Sequence, residues 1–442
     1  MPGADFEKYI KSLERRILVK DIGKVTDVVG HLIEGYLPGA KLGSICEIAS
    51  QGRPPIVSEV IGFKDKKVLM MPLTELTAIG LGSRIELIRT TASVKVGEHL
   101  LGRVIDGLGN PIDGLDSLSA SEEAYIYKNS CNPLSRKPID EPLDLGVKSI
   151  NTFTTVGKGQ RVGILAGSGV GKSVLMGMIA RSTKSDVNVI ALIGERGREV
   201  REFIENVLGE EGLKKSVIVA VTSDQSPLLR MRGAFVATAI AEYFSDKGQD
   251  VLLMMDSLTR FAMAQREIGL NAGEPVTTKG YTPSVFGLLP KLLERAGQFD
   301  NGGSITGLYT VLVEGDDMDD PIADSVRSIV DGHIVLDRSL AHKGHFPAID
   351  VMQSASRVMN SVISDEHKIL ARMARAQMAL YKENEDLIRI GAYQMGQSPE
   401  LDQAIAINGP LQQFLQQDVS EEWGFDQTIN ELKSTFLKYE EV

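Results

Sequence analysis

The stretch "LAGSGVGKSVL", Leu165 to Leu175, decides how this chain is read. Residues 166 to 173 run Ala-Gly-Ser-Gly-Val-Gly-Lys-Ser. Gly167, Gly169 and Gly171 leave the backbone free to curl, so that successive N–H groups point at one anion. Lys172 then reaches the outer phosphates of a nucleotide, and the Ser173 hydroxyl is available to Mg²⁺. Ser168, Val170 and Val174 complete the set of candidate contacts. Phosphate loops of this kind usually open on glycine, and Ala166 stands there instead. The flanks supply the context: "RVGILA" is an apolar strand, and "SVLMGMIARS" is a helix whose positive end faces the anion. A glycine-rich turn with an incidental lysine would require neither flank. The expectation is an ATP site.

Outward from the loop, apolar runs alternate with helical stretches between Val147 and about Asp350. "RVGILA", "VNVIALI", "SVIVAV", "VLLMMD" and "LYTVLV" are continuous and rich in β-branched residues, the texture of a parallel sheet covered on both faces. A phosphate loop needs a partner acid at the end of a neighbouring strand to hold the metal's water shell. "VLLMMD" supplies Asp256. Hydrolysis further needs a group that polarises the attacking water. "VIALIGERGREVREF" sets Glu195 just past a strand tip, on the edge that faces the nucleotide in such sheets. Arg196 beside it is in reach of the γ-phosphate. Taken alone, Glu195, Arg196, Arg198 and Glu199 read first as a solvated charged turn.

The fold class expected is α/β, a P-loop (RecA-like) parallel-sheet core with a small β-barrel before it and helices after it. Residues 1–22 hold Phe6, Tyr9, Ile10, Leu13 and Ile17 at helical spacing, an amphipathic helix. Its stripe either packs on its own domain or docks a partner. Residues 23–90 break into short β-rich runs separated by Gly, Pro and Asp, a small barrel. Residues 91–350 are the ATPase domain. Residues 351–442 are mostly helical, with Ser364 as the N-cap of a helix that opens on two acids.

The 442 residues are 43% hydrophobic and 24% charged, ample for two or three buried cores. A net charge of −11 argues against a broad grip on nucleic acid or anionic lipid. Cys46 and Cys131, far apart, fit neither a disulfide scaffold nor a zinc site. No run is long enough to span a bilayer, and the N-terminus lacks the apolar core of a signal peptide. A cytoplasmic protein is expected.

"GERGREVREF", "MMDSLTRFAMAQREIGLNAGEP", "TKGYTPSVFGLLPKLLERAG" and "EGDDMDDPIADSVRSIVDGHIVLDR" resemble the ATPases of type III protein export. Those belong with the catalytic subunits of rotary ATP synthases, and among them the likeness is greatest to the flagellar member. It runs from about Gly23 into the helical tail. The resemblance implies that Glu195 is the catalytic carboxylate, and that Lys172, Ser173, Arg196 and Asp256 contact the triphosphate and Mg²⁺. "SASR" matches a segment that lends an arginine to the next subunit, which makes Arg357 an arginine finger. Phe346 in "GHFPAID" matches the ring that stacks on adenine, and Tyr393 is a second candidate for that pocket. "EGDDMDD" lacks the spacing of a calcium loop, and His342 with His345 make a poor metal site.

Three activities share this core: a homohexameric motor for protein export, a rotary synthase subunit, and a ring-shaped RNA translocase. The poverty of aromatic residues in 23–89 and the acidic balance disfavour the translocase. The helical tail lacks the acidic DELSEED-like stretch of a synthase subunit. The export ATPases imply a homohexamer, a stator-like regulator on the N-terminal helix and a central stalk protein. They also imply export-gate membrane proteins, exported proteins and their chaperones, at the cytoplasmic face of the inner membrane.

Overall fold

The computed structural model describes residues 21–440, apart from 51, 77, 119–121, 129–131, 301, 314, 316 and 318. The expected amphipathic helix lies outside the described residues, save that Ile22 already belongs to a strand. Six strands, β1 (Ile22–Val29), β2 (Leu32–Tyr36), β3 (Ile45–Ile48), β4 (Ile56–Lys64), β5 (Lys67–Pro72) and β6 (Arg84–Arg89), close into a barrel in the order β1-β2-β5-β4-β3-β6. Alternation along β1 and β2 sends Val25 and Ile33 inward, where they meet Cys46, Ile48, Val60, Met70 and Ile85. Burial pushes the Cys46 thiol up to about 12, so it is an inert core group. The compact unit that contains the barrel runs to Ser93.

The second unit is built on a nine-stranded sheet. Its main strands are β7 (Val104–Ile105), β8 (Arg161–Ala166), β9 (Val187–Glu195), β10 (Ser216–Thr222), β11 (Asp250–Asp256), β12 (Ser304–Leu312), β13 (Gly332–Leu336) and β14 (Ile349–Ser356). They lie in the order β14-β13-β8-β12-β11-β9-β10-β7, with Gly297–Gln298 pairing onto β12. All pairs from β13 to β7 are parallel. The five apolar runs picked out in the sequence are β8 to β12, each nearly continuous in its burial. Such strands need cover on both faces, and the helix α2 (Pro227–Asp246), buried along most of its length, supplies part of it.

Parallel pairing aligns the carboxyl ends of β8, β9, β11 and β12 along one edge, and α1 (Lys172–Ser182) and α3 (Leu258–Asn271) start from that edge. β14 returns antiparallel beside β13, from Leu336 opposite Ile349 to Gly332 opposite Ser356. The sheet therefore extends through Ser356, and the helices begin at Met359 rather than at residue 351. Ladder bonds to β13 hold those residues extended. Beyond lie α4 (Asp365–Arg389), α5 (Pro399–Leu415) and α6 (Phe425–Glu440). Ser364 caps α4 by accepting from the His367 amide.

Arg295 is among the largest fully buried side chains. Its guanidinium grips Glu242 of α2 at 2.6 and 2.8 Å and the carbonyl of Ile126 at 2.6 Å. Removing one partner of such a pair strands a charge, whereas removing both need not. Glu242→Leu is expected to destabilise the second unit by about 3–5 kcal/mol. The double variant Arg295→Met/Glu242→Leu should recover most of that loss in chemical denaturation.

Candidate active site

Between the end of β8 at Ala166 and the start of α1 at Lys172 the chain turns through residues 167–171. Gly169 and Gly171 have φ of 78° and 93°, the left-handed region that a side chain resists. The amides of Gly167, Ser168, Gly169 and Gly171 donate to no backbone carbonyl among the described residues. Gly171 also has no side chain with which to cap α1. Free N–H groups thus gather at the positive end of an eleven-residue helix. That is a built anion cradle. Ser168 and Ser173 are exposed at its mouth, Val170 is buried beneath it, and Val174 is 39% exposed on the first turn.

Lys172 crosses from the cradle to the neighbouring strand tips. Its ammonium pairs with Asp256, which closes β11, and lies 3.9 Å from Oε1 of Glu195 at the end of β9. Asp256 is buried and also accepts from Thr310 Oγ1 of β12 at 2.7 Å. The sheet order explains the meeting, since β8, β12, β11 and β9 are consecutive neighbours. Oxygen donors on one buried carboxylate and one exposed hydroxyl suit Mg²⁺, which takes one or two protein ligands and fills the rest with water and phosphate.

Glu195 owes its aim to a bulge. The register of β9 on β10 slips between Ile193 and Glu195. Gly194 takes φ 73°, and a Cβ there would meet the Arg260 side chain at 2.7 Å. Only glycine meets both demands, and the extra residue re-aims the carboxylate that follows. Oε1 of Glu195 is buried and has no hydrogen-bond partner. Burial is the main reason its carboxyl is pushed up to about 7; Asp256 adds to the rise and Lys172 opposes it. A carboxylate that bonds Glu199 but keeps one oxygen free at the mouth of an anion cradle is suited to take a proton from water.

Arg260, in the first turn of α3, is a residue the sequence reading passed over. It lies against Gly194, with its Nε unpartnered and Nη1 touching only Met263 Sδ at 3.6 Å. The signal was present in "DSLTR", where an arginine sits one helical turn past the strand acid. Arg196 is not drawn into the cluster. Its side chain is 76% exposed and lies 3.6 Å from Glu199, so the flank of Glu195 is a solvated turn at that position.

On the other side of the loop lies a cavity of about 360 Å³. Val170, Gly171, Val174 and Met178 line it together with Phe346, Pro347 and the segment Gln417–Val419. The Phe346 ring stands 3.7 Å from where a Cβ on Gly171 would be. Tyr393 is absent from this slot, which corrects its candidacy. Its hydroxyl donates to Asp402 at 2.8 Å and receives the Ser398 amide at 3.1 Å, a bonding pattern that fixes the turn before α5.

Arg357 lies at the far end of the sheet. Its amide bonds the carbonyl of Asp331, whose carboxylate grips Arg161 at the start of β8. Ala166 is five residues further along that strand, about 17 Å away. The exposed Arg357 therefore does not join the cluster of its own chain. His345 is buried beside Gln416 and His342 is exposed, while Asp317 pairs with Lys279 at 2.8 Å. Among the described residues no group of three or more acidic, His or Cys side chains could hold a metal. No helix among them is long and apolar enough to cross a membrane.

Two family models match the chain. The ATP synthase alpha/beta family, nucleotide-binding domain, covers residues 146–356, and the T3SS EscN ATPase C-terminal domain covers residues 363–434. The chain is 52% identical over 430 residues to the flagellum-specific ATP synthase of Bacillus subtilis, covering 97% of this chain and 98% of that one. It is 46% identical over 428 residues to the type 3 secretion system ATPase of Xanthomonas euvesicatoria, covering 96% and 97%. Its fold matches the assembled ATPase EscN of the enteropathogenic E. coli type III secretion system with a TM-score of 0.88 and 46% identity, over 93% of this chain and 99% of that one. EscN in complex with its central stalk EscO matches at 0.87 and 45% identity over the same shares. With the likeness running along almost its full length, the chain belongs to the ATP synthase alpha/beta family, in the branch of the flagellum-specific and type III secretion ATPases.

Proposed function

We propose that this chain is an ATP-hydrolysing subunit of a hexameric motor that energises type III protein export, of the flagellar kind. One observation carries the hydrolytic reading: the buried, unbonded Oε1 of Glu195 beside Lys172 at the cradle's mouth. A site that only stored nucleotide would gain nothing from desolvating a carboxylate there.

In this reading the loop amides and Lys172 hold the β- and γ-phosphates, and the apolar slot takes adenine against Phe346. The Ser173 hydroxyl and, through water, Asp256 would hold Mg²⁺, which would supply positive charge to the phosphates. Glu195 orients the attacking water and accepts its proton. Arg260, whose Nε is without a partner, turns its guanidinium toward the oxygens of the departing phosphoryl group. Arg357 serves the neighbouring subunit's site, since its own lies a sheet's width away, and Arg196 reaches phosphate only after leaving Glu199. A lone subunit is therefore catalytically incomplete. The bare tip between α4 and α5 exposes Leu387, Ile390 and Met395, an apolar surface suited to a central stalk like the one solved with EscN. Domain limits near residues 22 and 90, a regulator on residues 1–22, and contacts with the export gate, exported proteins and chaperones complete the proposal. Its place would be the cytoplasmic face of the membrane.

Three measurements test it. Glu195→Gln should retain ATP binding and lose about 10²–10⁴-fold in kcat; unchanged turnover would remove Glu195 from the chemistry. For the wild-type chain kcat/KM should fall about tenfold per unit below pH 7, because protonation of Glu195 removes the base. A flat profile from pH 5.5 to 8 refutes that assignment. Arg357→Ala and Lys172→Ala subunits, each inactive alone, should regain activity when mixed, as one intact shared site forms in mixed rings. Failure to regain activity at every ratio would count against a finger donated between subunits.

A further inference from the structure

The chemistry proposed above does not use Lys148, yet its ammonium is buried. The residue is 6% exposed, at the start of the short helix Lys148–Phe153. It forms no ion pair among the described residues, and its Nζ lies 4.6 Å from the ring centre of Trp423 and 5.7 Å from that of Phe414. Burial lowers its affinity for the proton. An ammonium taken out of water and held by two ring faces is costly unless fixing Trp423 brings a compensating return.

Trp423 sits on the strap that joins α5 to α6, and three other residues of that strap, Gln417, Asp418 and Val419, line the apolar slot beside Phe346. The strap is fastened to the nucleotide-binding core at close intervals. The Gln417 amide donates to the Phe346 carbonyl at 3.0 Å, and Gln417 Oε1 accepts from the Lys148 amide at 2.9 Å. Gln417 Nε2 donates to the carbonyls of Gly146 at 2.8 Å and Glu421 at 3.0 Å. From the last turn of α1, Arg181 donates to the Val419 carbonyl at 2.9 Å. Asp418 is spent on the amide and hydroxyl of Ser420 at 2.9 and 2.7 Å. The Gln417 amide group and Oδ1 of Asp418 are thus committed elsewhere, so the strap serves chiefly as a wall of the slot.

We infer that Lys148, Gln417 and Trp423 are positioning residues that latch this wall, and so set the affinity for the base end of the nucleotide without touching the phosphate cradle. The inference rests on the slot being the base site of the ATPase. The latch also places one end of the helical region in the base site, since the strap's two ends are the ends of α5 and α6.

Trp423 is the chain's only tryptophan, so its emission reports on the latch directly. The full-length chain is titrated with MgATP and, separately, with inorganic tripolyphosphate, and steady-state kcat and KM are measured. MgATP is expected to shift the wild-type Trp423 emission, and tripolyphosphate to bind without that shift. Lys148→Met should raise KM for ATP about tenfold, the scale of a desolvated cation–ring contact, with kcat within about twofold. Tripolyphosphate affinity should stay unchanged, and Lys148→Arg should restore KM. Should Lys148→Met fail to fold, Trp423→Leu, at a half-buried position, carries the same comparison, with Trp423→Phe as its rescue. Equal loss of ATP and tripolyphosphate affinity, or no loss of either, overturns the latch. A wild-type chain that binds tripolyphosphate but discriminates no base-bearing nucleotide overturns the base-site reading itself.

Discussion

One ammonium holds this site together. Lys172 stands between two carboxylates, Asp256 and Glu195, delivered by strands that are not its own. Without it, burial and the neighbouring Asp256 would drive Glu195 further toward the neutral form. At about 4 Å and an effective dielectric near 20, one such charge pair is worth about 4 kcal/mol. That attraction limits the rise of Glu195, leaving its carboxyl at about 7, where proton transfer near neutral pH is most effective. Asp256 spends its charge mainly on Lys172 and Thr310, whereas Glu195 keeps one oxygen free. Two carboxylates at the same sheet edge are thereby given different work.

The charged triangle exists because parallel strands finish together. Ala166, Glu195 and Asp256 close β8, β9 and β11, and the pairing of those strands through β12 fixes their separation. The barrel has a core of its own, built on Val25, Ile33, Cys46, Ile48, Val60, Met70 and Ile85. The bulge at Gly194 then turns one carboxylate out of the strand's alternation and makes room for Arg260. Gly194 is the position where backbone conformation and reactive geometry are the same requirement.

How far this could be read from the chain depended on distance along it. The phosphate cradle is local: residues 165–175 carry strand, loop and helix in order, so the spacing of three glycines and a lysine was enough. Asp256 and Glu195 were readable because each ends a continuous apolar run, and such runs in a parallel sheet share one edge. Arg260 escaped because its relation to Glu195 passes through a bulge, which alternation patterns do not register. Tyr393 stayed ambiguous because an aromatic in a loop looks alike whether it stacks on a base or bonds the turn that follows, as its hydroxyl does with Asp402. The extension of the sheet to Ser356 was hidden because β14 is a returning edge strand with half-exposed residues, and it carries none of the apolar continuity of its neighbours. The base slot lies furthest from reach, since its walls come from residues 170–178, 346–348 and 417–419 and no single stretch announces them.

That difference in assembly corresponds to a difference in task. The cradle end is lined by charge and free amides, and in the proposed reading their interactions would grow as negative charge builds on the departing group and so contribute to kcat. The slot is lined by Val170, Val174, Met178 and Phe346, and in the proposed reading their contacts are indifferent to what happens at the far phosphate and would contribute to binding alone. The base contacts form on the strap that runs between α5 and α6, while the charged groups belong to the sheet. A shift of the helical region relative to the sheet would therefore alter how tightly nucleotide is held before it altered how fast it is cleaved. A motor that cycles between subunits needs that separation, because a site must release its product without dismantling the groups that made it.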